Sequence, residues 1–217
     1  SVKGMLTDQK DEYYYLTLMN ENYTHPDMPA GAEANIIKGM YLLKEGGKEK
    51  KKGMRVQLTG SGTILREVIA AADLLRDDWG VESDIWSAPS FNELRRDGID
   101  CERWNLLHPM DEPRVPHVAA CVGSKAGPVI AATDYMRIYA DSVRPYIKKT
   151  YKVLGTDGFG RSDSRDNLRR FFEVNRFYVT LAALTALAED GVIERKLLAD
   201  AIKKYGIDPN KPNPTTV

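Results

Sequence analysis

The sequence is poor in several things that mark particular chemistries. It has two cysteines, Cys101 and Cys121, in 217 residues. Two isolated thiols without CxxC spacing form neither a disulfide framework nor a zinc knuckle. They read as reduced thiols in a cytoplasmic setting. The three histidines, His25, His108 and His117, stand next to prolines or in loops and show no H-x-x-x-H spacing, so no metal site is expected on them. Net charge is absent too: Lys+Arg and Asp+Glu both number 31. Without a positive field, neither nucleic acid nor a membrane surface is an expected partner. A charge-balanced chain near its isoelectric point favours association with other protein instead. No apolar run approaches the ~20 residues that span a bilayer. The chain opens on SVKGML, without Met, and the expectation is a fragment of a longer polypeptide or a processed product.

What is present is an alternation of strands and helices. YYYLTLM (13–19) reads as a buried strand, and NENYTHPDMPAG (20–31) as an irregular connector. Apolar residues at helical spacing predict a helix over 32–44, followed by a charged solvated turn, KEGGKEKKKG (44–53). Strands are then expected at 55–59, 81–88, 128–132 and 152–155. Helices are expected at 64–78, 91–107, 116–122, 135–143, 164–173, 176–190 and 194–205. This order predicts an α/β fold: three αβα layers around a mostly parallel sheet.

Two glycine-rich turns could carry chemistry. LTGSGTIL (58–65) has the strand–turn–helix form of a pyrophosphate cradle through Gly60 and Gly62, but its third glycine position is Leu65. Glu82 and Asp84 lie about where a ribose-binding acid would follow. VLGTDGFGRSDSR (153–165) has the order G-x-x-G-x-G and lacks the Gly-Lys-Ser/Thr end of a P-loop. Its serines can cap the next helix, and its acids suit that helix's positive end. Gly155, Asp157, Gly158, Phe159, Gly160, Arg161 and Ser162 are therefore a candidate anion-binding or subunit-contact loop. Glu93, Asp97, Asp100 and Glu102 share a helix with Arg95, Arg96 and Arg103. That pattern suits acid–base chemistry or an ion-paired interface face, with Trp86 and Trp104 nearby favouring the interface. The residues alone show no self-sufficient active site.

YYYLTLMNENYTHPDMPAGAEANIIKGMY, VQLTGSGTIL, SFNELRRDGIDCERWNLLHP, ATDYMRIYADSVRPYI and LGTDGFGRSDSRDNLRRFFEVN together carry a resemblance. They resemble the C-terminal region of the bacterial homodimeric pyruvate dehydrogenase first component, a thiamine-diphosphate-dependent decarboxylase among the transketolase-like enzymes. The resemblance implies a five-stranded mixed sheet with one antiparallel strand. It makes residues 1–30 the last strand of a preceding pyrimidine-binding domain plus a linker, and 31–217 a transketolase-like C-terminal domain. It implies that the full enzyme uses thiamine diphosphate and Mg²⁺, pairs with a second copy, and passes acetyl groups to a dihydrolipoyl acetyltransferase core. No catalytic, cofactor-binding or metal residue of the family maps onto this chain, so no cofactor is expected on it alone. A structural and dimerisation role follows, in which parts of 88–116 and the GTDGFGRSD loop face neighbouring domains. The alternative is an anion- or nucleotide-effector module built on the Gly60–Gly62 or Gly155–Arg161 turn.

Overall fold

The computed structural model of the protein describes residues 2–15 and 22–217. Among these, five strands form one sheet in the order β1-β3-β2-β4-β5. They are β1 (Tyr41–Lys44), β2 (Arg55–Gly60), β3 (Glu82–Ser87), β4 (Val129–Ala132) and β5 (Tyr151–Leu154). All pairings are parallel except β1 with β3. The mixed three-layer α/β architecture read from the sequence is therefore present.

Side-chain alternation along the strands builds two cores, one per face. Val56, Leu58, Ile85, Ile130, Ala132 and Leu154 point to one face. There they meet α2 (Leu65–Trp79), through Val68, Ala71, Ala72 and Leu75, and α7 (Arg176–Glu189), through Val179, Ala183, Leu184 and Leu187. Trp86, Val129, Ala131 and Tyr151 point to the other face. That face is covered by α3 (Phe91–Leu107), α4 (His117–Val122) and the short α5 (Arg137–Asp141). Each fully buried Val or Leu contributes about 1.5–3 kcal/mol, so both faces are needed. α1 (Glu33–Ile37), α6 (Arg165–Phe171) and α8 (Lys196–Lys204) complete the chain.

Two expectations are corrected. The helix over 32–44 stops at Ile37, and Tyr41–Lys44 is the antiparallel edge strand. Ile36, Ile37, Met40 and Leu43 mimic a helical stripe, but Gly39 lies between them at φ +93° and ends the helix. Within the 13–19 strand reading, Tyr13–Tyr15 are not in a strand and are exposed. Positions 16–19 lie outside the described residues.

The charged turn over 44–53 is anchored rather than merely solvated. Asp84 and Glu82, both buried on β3, accept hydrogen bonds from the backbone N–H groups of Gly46 (2.9 Å) and Gly47 (2.8 Å). Asp84 also accepts from Arg55 (2.6 Å) and from the fully buried Gln57 (2.8 Å). Gln57 in turn accepts the indole N–H of Trp86 (2.8 Å) and donates to the Ala126 carbonyl (3.0 Å). Glu82 and Asp84 are thus part of the frame and not ribose-binding acids.

A second buried carboxylate ties the C-terminal helices to the sheet. Glu67 of α2 is 3% exposed. It accepts from the Arg176 backbone N–H (2.9 Å) and guanidinium (3.0 Å) and from Arg169 (3.3 Å). Burial pushes its carboxyl up, but the Arg176 hydrogen bonds and the two arginine charges outweigh that and hold it below the ordinary value of 4.5. A depressed folded-state value stabilises the fold above the unfolded value and is lost as pH falls through it.

Asp84→Ala removes the acceptor shared by Arg55, Gln57 and Gly46, and should cost about 3–5 kcal/mol in urea unfolding. Glu67→Gln should cost about 2 kcal/mol at neutral pH. Its gap from the unmodified protein should close on acidification below 4.5, measured as Tm against pH.

Candidate functional site

The strand order reverses direction between β2 and β4, since the chain runs from β2 outward to β3 and then returns to β4 on the other side. In open parallel sheets, ligands bind outside the carboxyl ends of strands at such a point. Here the ends of β2, β4 and β5 surround a cleft of about 310 Å³. Thr63 and Ile64 line it after β2, Asp134 after β4, and Thr156, Gly158, Gly160 and Arg161 after β5. Arg165, Leu168, Arg169, Phe172 and Val174 close the far side. The two glycine turns, distant in sequence, share this cleft.

Local packing builds each wall. Gly60 lets the turn press onto α2: a Cβ there would lie 2.7 Å from Leu65 Cα. The Ser61 hydroxyl donates to Thr133 Oγ1 (2.8 Å), joining the ends of β2 and β4. Thr63 Oγ1 sits 3.4 Å from Asp134 Oδ2. Asp134 Oδ1 is buried beside Gly62 with no hydrogen-bond donor among the described residues. The Thr156 hydroxyl donates to the Asp134 carbonyl, and the Thr156 N–H to the Tyr135 carbonyl (2.9 Å).

The second turn is held on both sides. Asp157 accepts the Arg137 N–H (3.1 Å), fixing the turn to the start of α5. Gly158 adopts φ +103°, and a Cβ there would lie 2.3 Å from the Pro214 carbonyl oxygen. Only glycine combines that angle with that approach. The C-terminal segment lies across the turn at this point. Lys211 anchors that segment, donating to the Phe171 carbonyl (2.8 Å) and pairing with Glu173 (2.9 Å). Ser164 caps α6 by accepting the Asn167 N–H (3.4 Å), and Asp163 accepts the Ser164 N–H (2.6 Å), so the capping role read from the sequence is present.

Of the seven residues singled out in GTDGFGRS, the structure brings Gly158, Gly160 and Arg161 to the cleft. Gly155 packs against the 135–137 backbone and Asp157 binds it. Phe159 and Ser162 are exposed outside the cleft wall. Asp134, Thr156 and Arg169 were not singled out. The available signal was position: Asp134 and Thr156 each follow a parallel strand by two residues.

The charged helix α3 is structural in detail. Asp97 accepts the His117 N–H (2.6 Å) and so starts α4. Glu102 accepts from the Tyr146 hydroxyl (3.2 Å), Arg95 donates to the Ser142 carbonyl (3.2 Å), and Asp100 pairs with Arg114 (3.4 Å). His117 Nε2 lies 2.9 Å from the Met40 carbonyl oxygen, and His108 stacks on Trp104 at 3.5 Å. Burial pushes the Cys121 thiol up to about 11 and also raises Cys101, so neither is a ready thiolate. Among the described residues, no three His, Cys, Asp or Glu side chains converge to hold a metal ion. No helix among them is long and apolar enough to cross a membrane.

Comparison with known proteins places this geometry. The profile of the transketolase-like TK C-terminal domain matches residues 39–175. The chain is 62% identical over 216 residues to a protein of Cupriavidus necator named pyruvate dehydrogenase E1 component, covering 100% of this chain and 24% of that protein. It is 54% identical over 209 residues to the Escherichia coli K12 protein of the same name, covering 95% of this chain and 23% of that one. The chain thus spans about a quarter of the length of these relatives. A crystal structure of a Pichia stipitis transketolase mutant aligns over 73% of this chain and 19% of that chain, at 15% identity and a TM-score of 0.48. The profile match covers the β1–β5 sheet and the cleft at its carboxyl edge, and the chain belongs to the transketolase-like C-terminal domain family.

Proposed function

We propose that the chain is the C-terminal structural and dimerisation domain of the decarboxylating first component of a cytoplasmic pyruvate dehydrogenase. The observation that carries this reading is the 62% identity, over the whole chain, to a protein named for that component. In the full enzyme, thiamine diphosphate with Mg²⁺ supplies the chemistry that decarboxylates pyruvate, and the acetyl group passes to lipoyl groups of the acetyltransferase core. The residues described here form no set suited to ligate that metal, and no step of the reaction is assigned to them.

The surface supports an assembly role. Leu106, Leu107, Met110 and Val115, at and beyond the end of α3, are exposed, Met110 by 95%. Next to them Arg114 lies over Trp104, its Cζ 3.5 Å from the ring centroid. At the carboxyl edge of the sheet, Tyr135, Met136, Ile138 and Phe159 are also exposed, Phe159 by 82%. Clusters of apolar and aromatic side chains with arginine are what buried protein contacts are made of. Leu106, Leu107, Met110 and Val115 fall in the 88–116 segment and Phe159 in the GTDGFGRSD segment, the two that the reading turns toward neighbouring domains and a second copy. Residues 1–30 belong, in the same reading, to the end of the preceding domain and its connector. The exposure of Tyr13 and Tyr15 suits a segment whose packing partners lie elsewhere.

Hydrogen exchange checks the assembly role. Amides of residues 106–115 and 155–159 should exchange roughly tenfold or more slowly in the full-length dimer than in this 217-residue chain. Equal rates in both would count against it. Calorimetric titration of the 217-residue chain with thiamine diphosphate should show no Mg²⁺-dependent binding, and tight one-to-one binding that requires the metal would refute the assignment.

A further inference from the structure

We propose that the cleft between the two glycine turns binds a small organic phosphate, with Arg161 as the main anchor. This goes beyond the assembly role and does not depend on it. The cleft lies at the point in the sheet where ligands of parallel folds collect. Its volume, about 310 Å³, falls at the lower end of the range for small-molecule sites and exceeds what a bare phosphate fills.

The charges in it favour an anion. Arg161, Arg165 and Arg169 line the cleft with one acid, Asp134, and Arg169 is already paired with Glu67. The acids of the glycine loop are turned to other donors. Asp157 holds the Arg137 N–H and lies 3.6 Å from its guanidinium, and Asp163 holds the Ser164 N–H and the Asn167 amide (2.8 Å).

Arg161 stands apart from its neighbours. Arg169 and Arg176 are engaged by Glu67. The Arg161 guanidinium instead lies over the Phe171 ring, 4.5 Å from its centroid, and makes no hydrogen bond or ion pair among the described residues. The aromatic face orients the planar fork while leaving its N–H edge for a ligand. Such a fork matches two phosphate oxygens at once. Leu168 and Phe172 offer an apolar wall for the body of the ligand. The turn that carries Arg161 is already shaped, because Gly158 is held against Pro214. Gly160 has φ outside the left-handed region and open space around its Cβ position, so no steric demand explains its lack of a side chain. An open approach for the ligand does.

The test is calorimetric titration of the full-length holoenzyme, saturated with its cofactor, and of the 217-residue chain. The probes are phenyl phosphate, inorganic phosphate, benzoate and benzyl alcohol. Phenyl phosphate should bind both proteins saturably and tighter than inorganic phosphate or benzoate, and benzyl alcohol should not bind. Arg161→Ala, checked for an unchanged fold by circular dichroism and Tm, should weaken phenyl phosphate roughly tenfold or more. Arg76→Ala, which removes an exposed arginine of α2 outside the cleft lining, should leave it unchanged. Three results overturn the proposal: no saturable binding, binding indifferent to Arg161→Ala, or binding by the 217-residue chain alone. The last would mean that a neighbouring domain fills the cleft in the assembled enzyme.

Discussion

Asp84 is a carboxylate placed inside a sheet, and the edge of this domain is arranged to satisfy it. A buried charge is costly unless every lone pair finds a donor. Arg55 and Gln57 of β2 and the Gly46 N–H of the turn after β1 supply those donors. Gln57 then has its own oxygen satisfied by Trp86. The result joins three strands: β2 contributes Arg55 and Gln57, β3 contributes Asp84 and Trp86, and the turn after β1 contributes Gly46. Shifting β2 against β3 by one residue would break every one of these bonds and turn the apolar residues to the wrong face. The network therefore specifies register, which apolar packing alone does only loosely.

Once β2 and β3 are in register, the position of the cleft follows. Parallel strands end together, and the turns after β2, β4 and β5 must meet at the same edge. Ser61 and Thr133 tie two of those ends. Glu67, on the helix that leaves the first turn, reaches Arg169 and Arg176 and so fixes α6, which lines the cleft, and the start of α7 against α2. Asp84 and Glu67 thus divide the work: one sets the sheet and the other sets the lateral wall. Both are acids that pattern reading would place on a solvated surface, and both are buried with hydrogen-bond donors directed at them.

The strand–helix alternation, the parallel sheet and the cap at Ser164 were legible because each rests on local chemistry: period-2 apolar runs, a glycine turn and an N-cap hydroxyl. The family was legible for another reason, since long motifs were spread over almost the entire chain. β1 was missed because Met40 and Leu43 continue the spacing of Ile36 and Ile37, and only the left-handed Gly39 separates the two patterns. The acid-rich α3 read as an ion-paired interface face or as acid–base machinery, and its carboxylates in fact hold His117, Tyr146 and Arg114 in place.

By itself the sequence determined the fold class, the family and the two glycine turns, since these depend on residues close together in the chain or on motifs read in order. Only the tertiary structure decided that the turns face one another. It also decided that Gly158, Gly160 and Arg161 enter the cleft while Phe159 points away, and that the acids beside them are already engaged. Those outcomes depend on hydrogen bonds and packing between segments far apart in sequence. An isolated stretch of chain does not carry the partners that determine which way its side chains turn.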